Sequence, residues 1–250
     1  MAVQIVCVIP ARLGSSRLPH KPLQRLAGEP LVRHVARRAL DLDDVDRVVV
    51  AADDQRILDA VADLSVDTEL TEQGHRCGTE RVAEVATRAK YSRYDTVLSI
   101  QSDEPFFPME AAHGALERVR LGDPIGTAAA PLSASDLTDV NRVKVVVNGE
   151  GRALRFARVT PASGAWGCDV QVMHHIGMYA FRRDVLMHWM RWDPPEGEIS
   201  EGLEQLRALH HDVMIGVATV ADAAPVAVDT EHDLQLAEAY LESQGERVGR

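Results

Sequence analysis

The first hundred residues alternate short β-branched runs with segments whose apolar residues recur every three or four positions, and few folds accommodate that rhythm. Gln4–Ile9 and Val45–Ala51 read as strands buried on both faces of a parallel sheet. Between them Leu31, Val32, Val35, Ala36, Ala39 and Leu40 fall at helical spacing, which completes a β-α-β unit. A helix over Gln55–Leu64, a strand at Val66–Leu70, a helix over Thr79–Ala89 and a strand at Asp95–Ile100 continue the pattern. The prediction is an α/β fold with a doubly wound, mostly parallel sheet. Such sheets bind ligands at the carboxyl edge of their strands.

A helix from Pro108 to Leu121 and a strand at Ile125–Ala130 follow, and then the alternation stops. Val143–Val147 and Ala153–Ala157 flank Asn148-Gly149-Glu150-Gly151, which predicts an antiparallel hairpin with its glycines at positive φ. A polar stretch, Pro161–Gly167, precedes a strand at His175–Phe181. Helices around Arg183–Trp192 and Glu201–His210, a strand at Val213–Val220 and a last helix from Thr230 complete the chain. The expected organisation is one domain over 1–250, its core about 1–130 and 213–250 and a smaller antiparallel lobe about 131–212.

Charge narrows the partners. Thirty-eight acidic against 27 basic side chains give a net charge of −11, which argues against nucleic acid. No apolar run approaches the roughly 20 residues of a membrane helix. The opening segment has no basic region ahead of its apolar run, so no signal peptide, no membrane and a cytoplasmic location are expected. Cys7, Cys77 and Cys168 lack C-x-x-C spacing, which predicts neither a disulfide framework nor a structural zinc site. Against this acidic background residues 1–28 contain no Asp or Glu, yet hold Arg12, Arg17, Lys21 and Arg25. The segment Pro10 to Pro22 leaves the first strand at its carboxyl edge. Gly14 permits close backbone approach, Ser15 and Ser16 offer hydroxyls, and the cations suit a polyphosphate. The loop is neither a Walker A nor a G-x-G-x-x-G turn.

This loop resembles the R-x-x-S-x-R-L-P-x-K-P signature of sugar-nucleotide cytidylyltransferases, in particular the CMP-Kdo synthetase (3-deoxy-manno-octulosonate cytidylyltransferase) family. Further blocks match in the family's order: Gly78-Thr79-Glu80-Arg81, Gln101-Ser102-Asp103-Glu104-Pro105, Val143-Lys144-Val145-Val146, His175-Ile176-Gly177-Met178-Tyr179, Leu203-Glu204-Gln205-Leu206-Arg207 and Val228-Asp229-Thr230. The resemblance implies a nucleotide-diphospho-sugar transferase-like, Rossmann-type fold, a homodimer, and attack by an acidic acceptor on the α-phosphorus of CTP. Arg12, Lys21, Asp103 and Asp229 are the implied catalytic residues, Asp103 and Asp229 the implied ligands of Mg2+. Pro10, Ala11, Arg12, Gly14, Ser15, Arg17, Lys21, Cys77, Gly78, Gln101 and Asp103 are the implied CTP contacts, with Arg76 beside the base. Gln101, Arg158, His175, Tyr179, Glu201, Glu204 and Gln205 are the implied acceptor contacts. On sequence grounds Asp229 has a second use, because Asp229 or Thr230 followed by Asp233 is also a helix N-cap pattern.

Near the base Arg76-Cys77 stands for the family's Gln-Ser, so a hydroxyl contact is lost and cytosine preference is left to backbone contacts. The acceptor half departs as well: Ser102 stands for a glycine, and Ala157-Arg158-Val159-Thr160-Pro161-Ala162-Ser163 for a segment with an aromatic and charged continuation. The stretch from Arg158 to His175 is also shorter. A site that loses hydrogen-bonding partners loses affinity for a polyhydroxy acid. The expected acceptor is therefore a small acid such as phosphonoformate, the acceptor of relatives in phosphonate pathways, gripped by Arg158. Kdo itself is the alternative, and a catalytically idle nucleotide-binding relative is the rival outside enzymes. Cys77 reads as a packing residue, and Trp166, Trp189 and Trp192 as packing or loop anchors.

Overall fold

The computed structural model describes residues 3–15, 17–132, 137–159, 169–223 and 226–248. Ser16, Trp166, Cys168 and the polar stretch at 161–167 lie outside them. The chain forms two compact units. The first comprises Gln4–Arg93, Ser99–Phe107 and Ala224–Arg250; the second comprises Met1–Val3, Tyr94–Leu98 and Pro108–Ala223.

In the first unit β1 (Ile5–Ala11) is buried along its whole length, as its unbroken apolar run requires. A two-residue hairpin follows, β2 (Arg25–Leu26) and β3 (Glu29–Pro30), turned by Ala27 and Gly28 at φ 48° and 84°. Two positive-φ residues make the tight turn that matches strand twist. With alanine in the first place the turn was not legible in the sequence. Helix α1 (Leu31–Leu40) buries the apolar stripe expected of it, Leu31, Val32, Val35, Ala36 and Ala39. Then come β4 (Arg47–Ala52), α2 (Gln55–Asp59), β5 (Asp67–Leu70) and α3 (Gly78–Thr87). Strands β1 and β4 pair in parallel with Val8 opposite Val49, and β4 and β5 with Val50 opposite Thr68. Helix α2 ends at Asp59, short of the expected Leu64. From there the bonds Val61 N to Leu58 O (3.1 Å) and Leu64 N to Val61 O (3.0 Å) tighten the chain into three-residue turns.

Strand β6 (Thr96–Ser99) carries the chain onward to α4 (Met109–Arg120) and β7 (Ile125–Pro131). The hairpin β8 (Lys144–Asn148) and β9 (Ala153–Ala157) forms as predicted, and β10 (Val170–Arg182) runs antiparallel to both β8 and β7. Of the hairpin glycines only Gly151 has positive φ, at 72°. Gly149 answers a different need, because a Cβ there would lie 2.6 Å from the Asp169 carboxylate. Helices α5 (Arg183–Trp189), α6 (Glu196–Glu201) and α7 (Leu206–His210) precede β11 (Ile215–Thr219), which pairs with β7 in parallel. The single helix expected over Glu201–His210 is broken because Gly202 ends α6 in the left-handed region at φ 63°. Helix α4 packs on β7, β10 and β11, which gathers these elements into the second unit.

The chain returns to the first unit as α8 (Glu231–Val248). Its Leu234 and Ala237 pack with Leu18, Leu26, Leu31 and Val228 in one buried cluster, flanked by Phe106 and Leu241. Each such leucine contributes about 2 kcal/mol by leaving water. The cluster ties the basic loop, the small hairpin and the last helix together. The architecture is the α/β class expected: mostly parallel strands with helices, plus antiparallel strands and a small separate hairpin.

Candidate active site

The site grows from the end of β1. The chain leaves the strand at Ala11, and the Leu13 amide donates to Asp53 Oδ1 at 2.9 Å, just past the end of β4. The Leu18 amide then donates to the Ser15 hydroxyl at 3.4 Å, while the Leu18 side chain is buried in the core cluster. An apolar anchor in the middle of a polar loop leaves Arg17 and Lys21 on either side of a fixed point. His20, at φ 53°, turns the chain into a short 3-10 turn that Lys21 opens.

Two distant aspartates meet this turn. The segment after β6 is held beside β1 by the Ile100 amide on Val8 O (3.3 Å), and the Val228 amide donates to Asp103 O at 2.9 Å. That last bond stitches residues more than a hundred positions apart and sets Asp229 next to Asp103. At the start of α8 the capping role falls to Thr230. The Asp233 amide donates to Thr230 Oγ1 (3.2 Å), and Asp233 Oδ2 accepts from the Thr230 amide (2.8 Å) and the Asp229 amide (3.1 Å). Of the two uses open to Asp229 in the sequence, capping is thus taken by its neighbour, and its carboxylate is free to turn to the cations. Lys21 Nζ donates to Asp229 Oδ1 at 2.9 Å and also to Asp103 Oδ2, and Arg17 Nη2 lies 2.9 Å from Asp229 Oδ1.

Burial opposes the Lys21 charge, but the two carboxylates outweigh it and raise the ammonium above the usual lysine range. Burial likewise pushes Asp229 up, yet Lys21 and Arg17 prevail and hold it below the usual carboxylate range. A single ammonium touched by both carboxylates marks a point that both oxygens reach. Hard oxygen donors converging on one cation suit a divalent ion that draws its other ligands from phosphate and water. Among the described residues no group of three His, Cys, Asp or Glu side chains gathers to hold a metal. The ion that fits is therefore one held by few protein ligands. Arg12 is exposed and makes no hydrogen bond or ion pair with a described residue, which leaves its guanidinium available to an anion.

At the start of α3, Gly78, Gln101 and Pro10 come together: a Cβ on Gly78 would lie 3.0 Å from the Gln101 side chain and 3.4 Å from that of Pro10. Cys77 precedes the helix in extended backbone and makes no side-chain cap bond. Arg76 is clasped by Glu80 through its amide and Nε, both at 2.9 Å. The space above Gly14 is open, so no packing inside the protein requires a glycine there. Ser102, where a bare backbone was expected to face ligands, is buried, 7% exposed.

The residues expected at the acceptor lie in the second unit, apart from Gln101. Arg158 Nε donates to Glu201 O at 2.7 Å and its amide to Glu201 Oε2 at 3.3 Å, so these two meet. Tyr179 lies 5.3 Å from the His175 ring, and burial together with the nearby Glu204 carboxylate keeps its phenol protonated. His175 Nε2 is 3.0 Å from Thr127 Oγ1, whose hydroxyl donates to Met178 O at 2.7 Å. Thr127 therefore accepts from His175 and bridges the bulge that β10 makes between Ile176 and Tyr179. Gln205 is buried.

Sequence reasoning assigned no role to Asp53, and none to Arg81 within its matched block. Their signals were an aspartate doublet at the carboxyl end of β4, and an arginine one turn into α3.

The family model described as cytidylyltransferase matches residues 6–215. A 3-deoxy-manno-octulosonate cytidylyltransferase of Gemmatimonas aurantiaca is 44% identical over 242 residues, covering 94% of this chain and 93% of its own. One from Methylococcus capsulatus is 42% identical, covering 96% and 98%. A solved structure of CMP:2-keto-3-deoxy-manno-octonic acid synthetase complexed with CTP superposes with a TM-score of 0.87 at 35% identity, over 96% of this chain and 99% of that one. A 4-diphosphocytidyl-2C-methyl-D-erythritol synthase from Anaerococcus prevotii shares the fold alone, at 13% identity and a TM-score of 0.63. With a family model over most of its length and relatives above 40% identity from end to end, the chain belongs to the CMP-Kdo synthetase family of cytidylyltransferases and is a nucleotidyltransferase.

Proposed function

We propose that this protein transfers CMP from CTP to Kdo with release of pyrophosphate. The observation that carries the reading is the convergence of Lys21 and Arg17 on Asp103 and Asp229 in a basic loop that also exposes Arg12. The names of the relatives supply the acceptor. An acceptor oxygen bonds to the α-phosphorus, the bond to the bridging oxygen breaks, and pyrophosphate leaves. Such chemistry asks a protein mainly for positioning and charge neutralisation. Arg12, Arg17 and Lys21 bind the triphosphate and steady the departing pyrophosphate. Pro10, Ala11, Gly14, Ser15, Cys77, Gly78 and Gln101 line the nucleoside and phosphates. Asp103 and Asp229 would hold Mg2+, which when bound would offset phosphate charge and act as a Lewis acid on the phosphoryl group. On the acceptor side Arg158 grips the carboxylate, with Gln101, His175, Tyr179, Glu201, Glu204 and Gln205 around it.

A small acid such as phosphonoformate is the weaker reading. The relatives that match nearly the whole chain are named for Kdo; Ser102 is buried, and residues 160–168 of the altered segment lie outside the described residues. The same proposal includes a homodimer and a cytoplasmic location; no helix of the described residues is long and apolar enough to cross a membrane. Pyrophosphate release with CTP and Mg2+ separates the readings. Turnover with Kdo is expected. Turnover with phosphonoformate alone restores the small acid, and binding of CTP without turnover on any acid points to an idle relative.

A further inference from the structure

Asp53 and Asp54 stand together past the end of β4, and the structure gives them different work. Asp54 caps α2, accepting from the Arg56 amide at 2.9 Å. Asp53 is left free of the helix, and its Oδ1 takes the Leu13 amide at 2.9 Å, while Oδ2 faces Arg81 Nη2 at 3.4 Å. Arg81 is itself pinned: its side chain is 3% exposed, and its Nη1 donates to Thr71 Oγ1 and to Glu72 O at 3.1 Å. The Thr71 hydroxyl and amide in turn bond Ala52 O at 2.9 and 2.8 Å. The ends of β4 and β5 and the first turns of α3 thus converge on one carboxylate, and that carboxylate grips the basic loop one residue after Arg12. Arg12 and Arg81 are near enough to repel, and Asp53 offsets the fixed charge of Arg81.

We infer that Asp53, held by Arg81, is a positioning residue that fixes the Leu13 backbone and with it the aim of Arg12 at the nucleotide phosphates. The inference rests on the reading that the loop grips CTP. A part-buried bond to a charged acceptor is worth enough to help order the loop at this point. In Asp53→Ala the loop loses its tether, and CTP must order it on binding.

The test measures CTP dissociation constants by calorimetry, and KM for CTP and for Kdo, in wild type, Asp53→Ala and Asp53→Asn. Loss of one charge-assisted bond predicts a CTP Kd and KM raised about tenfold in the alanine variant, with the acceptor KM unchanged. Asparagine keeps an oxygen for the Leu13 amide and should lose less than about threefold. A purely structural role would instead lower the unfolding midpoint and the active fraction while leaving both constants at wild-type values, and that result overturns the inference. Should the alanine variant not fold, Arg81→Lys reads the link from its other end. Lysine has one nitrogen where the guanidinium puts Nη1 on Thr71 and Glu72 and Nη2 on Asp53, so it cannot span both ends, and an unchanged CTP Kd there is equally fatal. If wild type itself binds no CTP, the reading of the loop fails first and takes the inference with it.

Discussion

The two units hold similar kinds of charged side chain and use them in opposite ways. In the first, Arg17, Lys21, Asp103 and Asp229 keep side-chain exposures of 56, 16, 25 and 34% and share one another across the loop. In the second, Lys144 and Arg207 are 0 and 1% exposed and are consumed by internal partners, as is the buried and uncharged His175. Lys144 caps the carbonyls of Asp139 and Arg158, Arg207 forks onto Glu198 beneath Trp189, and His175 donates to Thr127. A partly hydrated charge can trade a protein partner for a ligand at little cost. A buried one cannot, because breaking its pair strands a charge away from water. Removing a charge of the first group should therefore cost activity, and removing Lys144 or Arg207 should cost stability.

The largest effect is expected at the aspartates. Asp103→Asn or Asp229→Asn should lower kcat by about 10³-fold or more with the unfolding midpoint preserved, since on the proposed reading each offers oxygens to the metal as well as to Lys21. Turnover within tenfold of wild type for either, read from pyrophosphate release, would remove it from the proposed metal site. Lys21→Ala should lower kcat by about 10²- to 10³-fold, or roughly 3–4 kcal/mol of transition-state stabilisation. A rise in the KM for CTP with kcat intact would recast Lys21 as a binder of ground and transition states alike.

The second unit supplies the converse tests. Arg207→Leu leaves Glu198 buried and unpaired, and denaturant unfolding should register a loss of about 3 kcal/mol while the KM for CTP stays put. An unchanged midpoint would dissolve the contrast between the units. His175 sharpens it further. Burial, assisted by His174, presses its folded-state pKa down to about 3. Below the unfolded value of roughly 6.5 only the unfolded chain takes up the proton, so stability falls by about 1.4 kcal/mol per pH unit as pH drops from there toward 3. His175→Gln should flatten that part of the stability profile; an identical slope would mean the ring is protonated in the folded protein. The smallest effect belongs to Thr230→Ala, which removes the α8 cap at a cost of about 1 kcal/mol. The freed Asp233 amide then competes for Asp229, and a modest rise in the Mg2+ requirement should accompany the loss.

Much of this protein was decided locally. The buried strand β1, the stripe of α1, the β8–β9 hairpin and the acid-free basic loop follow from residue type and spacing, because each depends on neighbours within a few positions. The reach of individual elements did not. Helix α2 stops early and the 201–210 helix breaks at Gly202, where backbone conformation is fixed by packing as well as propensity. The site divides the same way. Cations beside a strand end announce an anion, and a family signature announces the nucleotide. That Val228 brings Asp229 beside Asp103 and that Asp53 holds Leu13 are long-range facts. They rest on hydrogen bonds between segments far apart in the chain, such as Val228 on Asp103, and no local pattern encodes which distant group will arrive to satisfy a given carboxylate.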